Sequence, residues 1–388
     1  MVRAEDPALD WPAVAARIVR QMAPLPGEKI VLVLAPGRFS SLVPELRYAI
    51  MKAGAVDLGA IEVLASPLPS KWDAALVAGA RGPARDALHG ALARVDAAVI
   101  LPGARPADPP YAALQDLMRE GHGRVVHFHW EGAFAIAGQP LPPQDVIDAV
   151  YEKAVLQTDY AALAAEQRRF RYALRQGEVR VTTPLGTDLR FRTGDRPVTL
   201  QDGDASAARA REAAVLIDRE VELPPGAVRV APLEETVEGV IAYPPSQWDE
   251  RPVRGLRLRF ERGRIVEVTA AAGRDAVEAE LLRGGEAARR FREFVLGFNP
   301  LLAVPERRPW IPYYGYGAGV VRLSLGDNSE LGGAVRGDYV RWDFFADATV
   351  RVGGETWVEA GRLTRSDPGR RPTASAPAPA RSARATGG

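Results

Sequence analysis

Apolar residues recur at helical spacing over residues 10–22, then close up into an unbroken run at Lys29–Leu34, KIVLVL. The same alternation of an amphipathic stretch with a short apolar run continues through the first 140 residues. Helical patterns cover 41–53, 83–93 and 111–120, and strand patterns cover 60–64, 97–101 and 124–129. A strand that is apolar on both sides must be covered on both faces. Such strands separated by helices therefore predict a parallel sheet between helical layers.

Residues 145–175 form a long helical stretch with few breakers, suited to linking two domains. Its basic run RRFRYALR reads as a solvated helix face paired with Glu166 and its neighbours. From Glu178 the period shortens to two. The segment 178–193 predicts a hairpin around 184–186, and 227–231, 237–243, 255–261, 264–269, 320–325 and 339–345 read as further strands. Residues 275–295 read as a helix interrupted at Gly284 and Gly285. After Leu363 the chain turns to Pro, Ala, Ser and Arg, a composition expected to stay disordered. The predicted class is α/β: an N-terminal parallel-sheet α/β domain (1–143), a linker helix (144–177), a C-terminal α+β domain (178–365) and a tail (366–388).

Charge changes this picture little. The formal net charge is +1, but the tail carries four arginines against one aspartate, so the body is slightly acidic and no nucleic-acid partner is expected. With no cysteine, disulfides, thiol nucleophiles and thiolate metal sites are excluded. No run of about 18 apolar residues and no signal-peptide pattern appear, so no membrane association and a cytoplasmic location are expected.

In the second half, TTPLGTDLRF (182–191), LPPGAVRVAPLEETVEGVI (223–241), GRIVEV (263–268), REFVLGFNP (292–300), VVRLSLGDNSELGG (320–333) and YVRWDFF (339–345) occur in order. Their order and spacing resemble the aminopeptidase T family of dimeric metalloaminopeptidases. That resemblance implies an aminopeptidase T-type C-terminal domain, a homodimer, and two metal ions held by carboxylates and histidines that activate a water for peptide-bond attack. Carried over position by position, the family's first glutamate falls on Ala227, and the glutamate before its glycine-asparagine-proline turn is kept as Glu293. The histidine before LGDN falls on Arg322. The histidine of a histidine-x-aspartate pair falls on Arg341, with Asp343 kept, and YYGYGAG lacks the acid expected there.

Arginine stays protonated and cannot lend a lone pair to a metal. The resemblance thus implies a degenerate member, a pseudoenzyme needing no cofactor, with Arg322 and Arg341 turned into the former metal cleft to pair with Glu293 and Asp343. Tyr314 and Tyr316, in the aromatic loop just upstream, would help line a cleft for a small anionic or peptide-like ligand. The alternative is an active metal-dependent aminopeptidase. It would hold zinc, cobalt or manganese with Glu293, Asp343 and carboxylates such as Asp327, Asp347 or Glu330.

Other signals are weaker. His127 and His129 flank Phe128 at a strand end and share a side, but no third metal ligand is evident nearby. APGRFSS (35–41) lacks the Walker lysine and the GxGxxG spacing, and reads as an ordinary strand-to-helix loop. All four histidines lie in the first third of the chain, so no Ser-His-Asp set is available in the C-terminal half.

Overall fold

The computed structural model describes residues 6–37, 39–64, 67–136 and 138–364. The expectation of a disordered tail lies outside the described residues. The N-terminal half is built from α1 (Trp11–Met22), β1 (Lys29–Leu34), α2 (Leu42–Lys52), β2 (Val56–Glu62), α3 (Ala74–Leu92), β3 (Ala97–Ile100), α4 (Pro109–Arg119) and β4 (Val125–Phe128). Its sheet runs β2-β1-β3-β4 with every pair parallel, as the unbroken apolar runs require. Asp73 starts α3 by accepting the Ala75 and Leu76 N–H groups, well before the Pro83 at which the sequence suggested a start. A fifth parallel strand, Glu220–Leu223, comes from the second half of the chain and pairs with β4. The two halves therefore share one sheet.

The long linker is two helices, α5 (Gln144–Gln157) and α6 (Tyr160–Leu174). Asp159 breaks it by accepting the Ala162 N–H as an N-cap, while Thr158 Oγ1 donates to the Ala154 carbonyl.

The second half is sheet-rich. An antiparallel five-stranded sheet is ordered Val340–Phe345, Val321–Gly326, Phe291–Gly297, Ala227–Val230, Val198–Gln201. One of its faces packs with an eight-stranded sheet and α6 around Phe170, Phe191, Phe294 and Trp357. Its other face meets the N-terminal half, where Ala227, Val295, Tyr313 and Tyr316 join one core with Phe128, Trp130 and Tyr151. The helix expected over 275–295 ends early. Arg274–Arg283 and Gly285–Ala288 are helical, but Phe291–Gly297 is a central strand buried along its whole length. Glu293 is thus a sheet residue at the middle of the molecule.

Candidate functional site: a buried arginine–glutamate centre

Cross-strand register decides which side chains meet. Arg229, Val295, Arg322 and Phe344 lie opposite one another across four neighbouring strands, so their side chains share the face toward the N-terminal half. A register shift between Phe291 and Phe294 accompanies the placement of Glu293 among these arginines. Glu293 is wholly buried. Its Oε2 accepts Arg229 Nε at 3.1 Å, and its Oε1 accepts an Arg322 guanidinium nitrogen at 3.1 Å and Arg292 Nε at 3.4 Å. Ser324 Oγ adds a fourth contact at 3.3 Å.

The arginines have further partners. Arg229 also reaches Glu222 at 3.4 Å and Glu330 at 3.0 Å, and Arg292 donates to Glu330 and to the Asp327 carbonyl. Three guanidiniums thus face three carboxylates. Glu330, with its side chain 31% exposed, is where the network reaches solvent. Burial alone would push the Glu293 carboxyl up, but Arg229, Arg322 and Arg292 overcome it and hold it well below the usual carboxylate range.

Arg341 and Asp343 are elsewhere. They oppose Leu325 and Leu323, on the other face of the same sheet. This corrects the expectation of one cleft holding both arginines: Arg322 is in register with Phe344 rather than Asp343, and a one-residue difference in register exchanges faces. Arg341 clasps Asp343 at 3.2 and 3.3 Å, donates to Glu280 at 3.0 Å and to the Gln247 carbonyl at 3.0 Å, and stacks 3.6 Å from the Trp248 ring. That cluster fastens Arg274–Arg283 and the Ser246–Val253 hairpin to the sheet. Burial pushes the Asp343 carboxyl up, only partly offset by Arg341.

Tyr314 and Tyr316 do stand at the Glu293 centre. The Tyr314 carbonyl accepts an Arg322 guanidinium nitrogen at 3.3 Å, and the Arg322 guanidinium lies 5.9 Å from the Tyr316 ring and 5.2 Å from the Trp342 ring. Tyr313 and Tyr314 hold positive φ angles of 41° and 50°, in a turn tied to the N-terminal half by Tyr313 N–H to Tyr151 Oη and Tyr314 N–H to the Gly132 carbonyl. Gly132 is itself left-handed, and a Cβ there would fall 2.5 Å from the Tyr314 ring. The Tyr313 hydroxyl and Arg322 Nε are buried with no hydrogen-bond partner among the described residues, while the Tyr316 hydroxyl is directed at Glu222.

His127 and His129 lie on the N-terminal side of the same interface. Their rings stack with centroids 3.4 Å apart, and His129 is 5.3 Å from the Tyr314 ring. His127 Nδ1 is 2.6 Å from the Tyr111 hydroxyl and 3.1 Å from Glu220 Oε1, and the Tyr111 hydroxyl also donates to Glu220. Burial lowers His127 to about 4 and, with the His127 ring adjacent, His129 to about 3. Both are therefore neutral at pH 7.

The sign of the resulting pH dependence follows directly. Between the unfolded value of about 6.5 and the folded values, only the unfolded chain takes up protons, so stability falls as pH falls through that window. His127 alone accounts for a loss on the order of 3 kcal/mol by about pH 4. Urea midpoints should drop between about pH 7 and pH 5, with a shallower drop in His127→Gln/His129→Asn. A variant slope equal to that of the wild type would remove the histidines as the cause.

A divalent cation does not suit the Glu293 centre. Ala227, fully buried opposite Gly297 on the neighbouring strand, offers only a methyl group at a position to which the family resemblance assigns a carboxylate, and three guanidiniums contact the remaining acid. Among the described residues no group of three or more His, Cys, Asp or Glu side chains is placed to hold a metal ion. The sequence reading missed Arg229, Arg292 and Glu222. Arg229 sits in the quoted LPPGAVRV motif, two residues after Ala227, and period-two spacing already put both on one face.

The family model described as thermophilic metalloprotease (M29) matches residues 158–301. Over that segment the chain is similar to the M29 family, which supports the resemblance read from its motifs. The match ends before the strands that carry Arg322 and Arg341. Two solved structures share the fold. The 2,5-dihydroxypyridine dioxygenase of Pseudomonas putida KT2440 is 13% identical with a TM-score of 0.61, covering 92% of this chain and 97% of that one. Wild-type AmpT from Thermus thermophilus is 18% identical with a TM-score of 0.59, covering 91% and 98%. No curated protein matches the sequence. Similarity at these identities defines architecture and leaves the reaction open.

Proposed function

We propose that this aminopeptidase-like chain is a pseudoenzyme, in which an arginine–glutamate network occupies the place of a metal centre. One observation carries the reading: Glu293, the acid kept from the family motif, is engaged by Arg229, Arg292 and Arg322 at 3.1–3.4 Å. A carboxylate whose charge is balanced by guanidiniums on both oxygens attracts a metal ion weakly, and the positive charges around it repel one. Hydrolysis of leucyl p-nitroanilide, with and without zinc, cobalt or manganese, should show no turnover above buffer. Metal-dependent turnover abolished by chelator would instead establish the competing reading, an active metal-dependent aminopeptidase.

The finer part of the proposal is a small anionic or peptide-like ligand at this centre. It is supported by Arg322 Nε and the Tyr313 hydroxyl, unpartnered among the described residues, since each buried unsatisfied group costs about 1–3 kcal/mol that a ligand carboxylate would recover. Citrate or a dipeptide should then raise the melting temperature, and Tyr313→Phe should reduce the rise. No shift with either compound would reject the ligand.

A homodimer is proposed on the family resemblance. It is supported by Val340 and Trp342, which are 45% and 40% exposed on an edge strand of the five-stranded sheet. No helix among the described residues is long and apolar enough to cross a membrane. A cytoplasmic setting is proposed with it, consistent with the lack of cysteine.

A further inference from the structure

A groove of about 940 Å³ lies away from the Glu293 centre. One wall is the start of α6, with Asp159 and Glu166; another is the turn after Phe298, with Pro300, Ala303 and Glu306. The last wall is residues 360–364, the end of the described chain. There Arg362–Leu363 pairs with Glu355–Glu359, and the Thr364 N–H donates to the Trp357 carbonyl. The last described residues therefore form part of the groove's wall.

We propose that this groove seats the chain's own C-terminal segment, residues 365–388. Three features select that occupant over a separate peptide. The first is position, since Thr364 is both the final described residue and part of the wall. The second is charge. The groove presents Asp159, Glu166 and Glu306 against Arg169 and Arg362, while the segment carries arginines at 365, 370, 371, 381 and 384 against Asp367 alone. The third is shape. Pro368, Pro372, Pro377 and Pro379 make the segment proline-rich, a composition that loses little conformational entropy on binding, and the groove is a surface trough lined by apolar Leu163 and Phe298. Tethering does the rest. A segment anchored at the groove's edge is presented at roughly millimolar effective concentration, so an intrinsic affinity of only about 0.1 mM keeps it mostly seated.

The natural absence of cysteine makes the test direct. In the full chain, Ala303→Cys in the groove is combined in turn with Ala374→Cys, Ala376→Cys, Ala380→Cys or Ser382→Cys. Glu359→Cys, beside the tether but outside the groove, replaces Ala303→Cys in the control series. Under mild oxidation at low protein concentration, at least one tail position should close an intramolecular disulfide to residue 303 about tenfold faster than to residue 359. Glu166→Lys with Glu306→Lys should bring that rate down to the control. Equal rates at both anchors for every tail position would overturn the proposal. So would predominant cross-links between chains, which would give the groove to a second copy.

Discussion

Replacing Arg229 with methionine is expected to cost about 3–5 kcal/mol, the range for breaking a buried ion pair from one side. This guanidinium alone contacts Glu222, Glu293 and Glu330, and it is 3% exposed. Its loss leaves Glu222 without its guanidinium partner and Glu293 with two arginines. The melting temperature should fall by on the order of 10 °C. Adding Glu293→Leu removes the acid together with its partner and should recover a large part of the loss, because an apolar replacement of a buried pair is often neutral. The coupling between the two sites should exceed about 1 kcal/mol in a double-mutant cycle. The pH dependence has a definite sign. Burial raises the Glu293 carboxyl, but the guanidiniums win and hold it below its usual range. Its stabilising contribution is therefore present at neutral pH and fades as pH falls below the ordinary carboxylate range. A methionine variant with an unchanged urea midpoint would show that the network contributes nothing to the fold.

Arg341→Leu tests the other face of the sheet. Asp343 and Glu280 lose their shared cation, and the Trp248 ring loses its stacking partner. The expected cost is about 2–3 kcal/mol, below the full buried-pair penalty because Arg341 keeps some solvent contact. Separation of the two clusters makes a sharper prediction. Arg322→Leu and Arg341→Leu should add to within about 0.5 kcal/mol, since they share no partner and lie on opposite faces. Strong coupling between them would restore a single cleft and contradict the register.

Much of the N-terminal half was legible in the sequence because a buried parallel strand leaves a short apolar run that polar helix faces interrupt. KIVLVL is one such run, and it forms a strand with the bounds its pattern gives. The segment REFVLG was misread for a physical reason. It is buried on both faces, so it has no period of two, and it follows a true helix closely enough to extend it on paper. Strand Glu220–Leu223 was overlooked because its partner, β4, lies in the other half of the chain, and no local pattern reports that pairing.

The candidate site was legible in part. Motif order placed Glu293 and Arg322, and the structure joins them at 3.1 Å. Period-two spacing correctly kept Arg341 and Asp343 on one side of their strand. Which side that is depends on the register against Val321–Gly326, a relation between strands that neither strand encodes alone. Arg229, in an expected strand, and Arg292, in an expected helix, looked like ordinary polar positions, and only the surrounding carboxylates give them their role.

On the proposed reading, guanidiniums and not metal ions balance Glu293. Elemental analysis of protein purified without chelator tests it most directly, with melting curves recorded before and after chelator treatment. The account predicts no zinc, cobalt or manganese above trace level and superimposable melting curves. One or two metal ions per chain, with a melting temperature that falls on chelation, would contradict it.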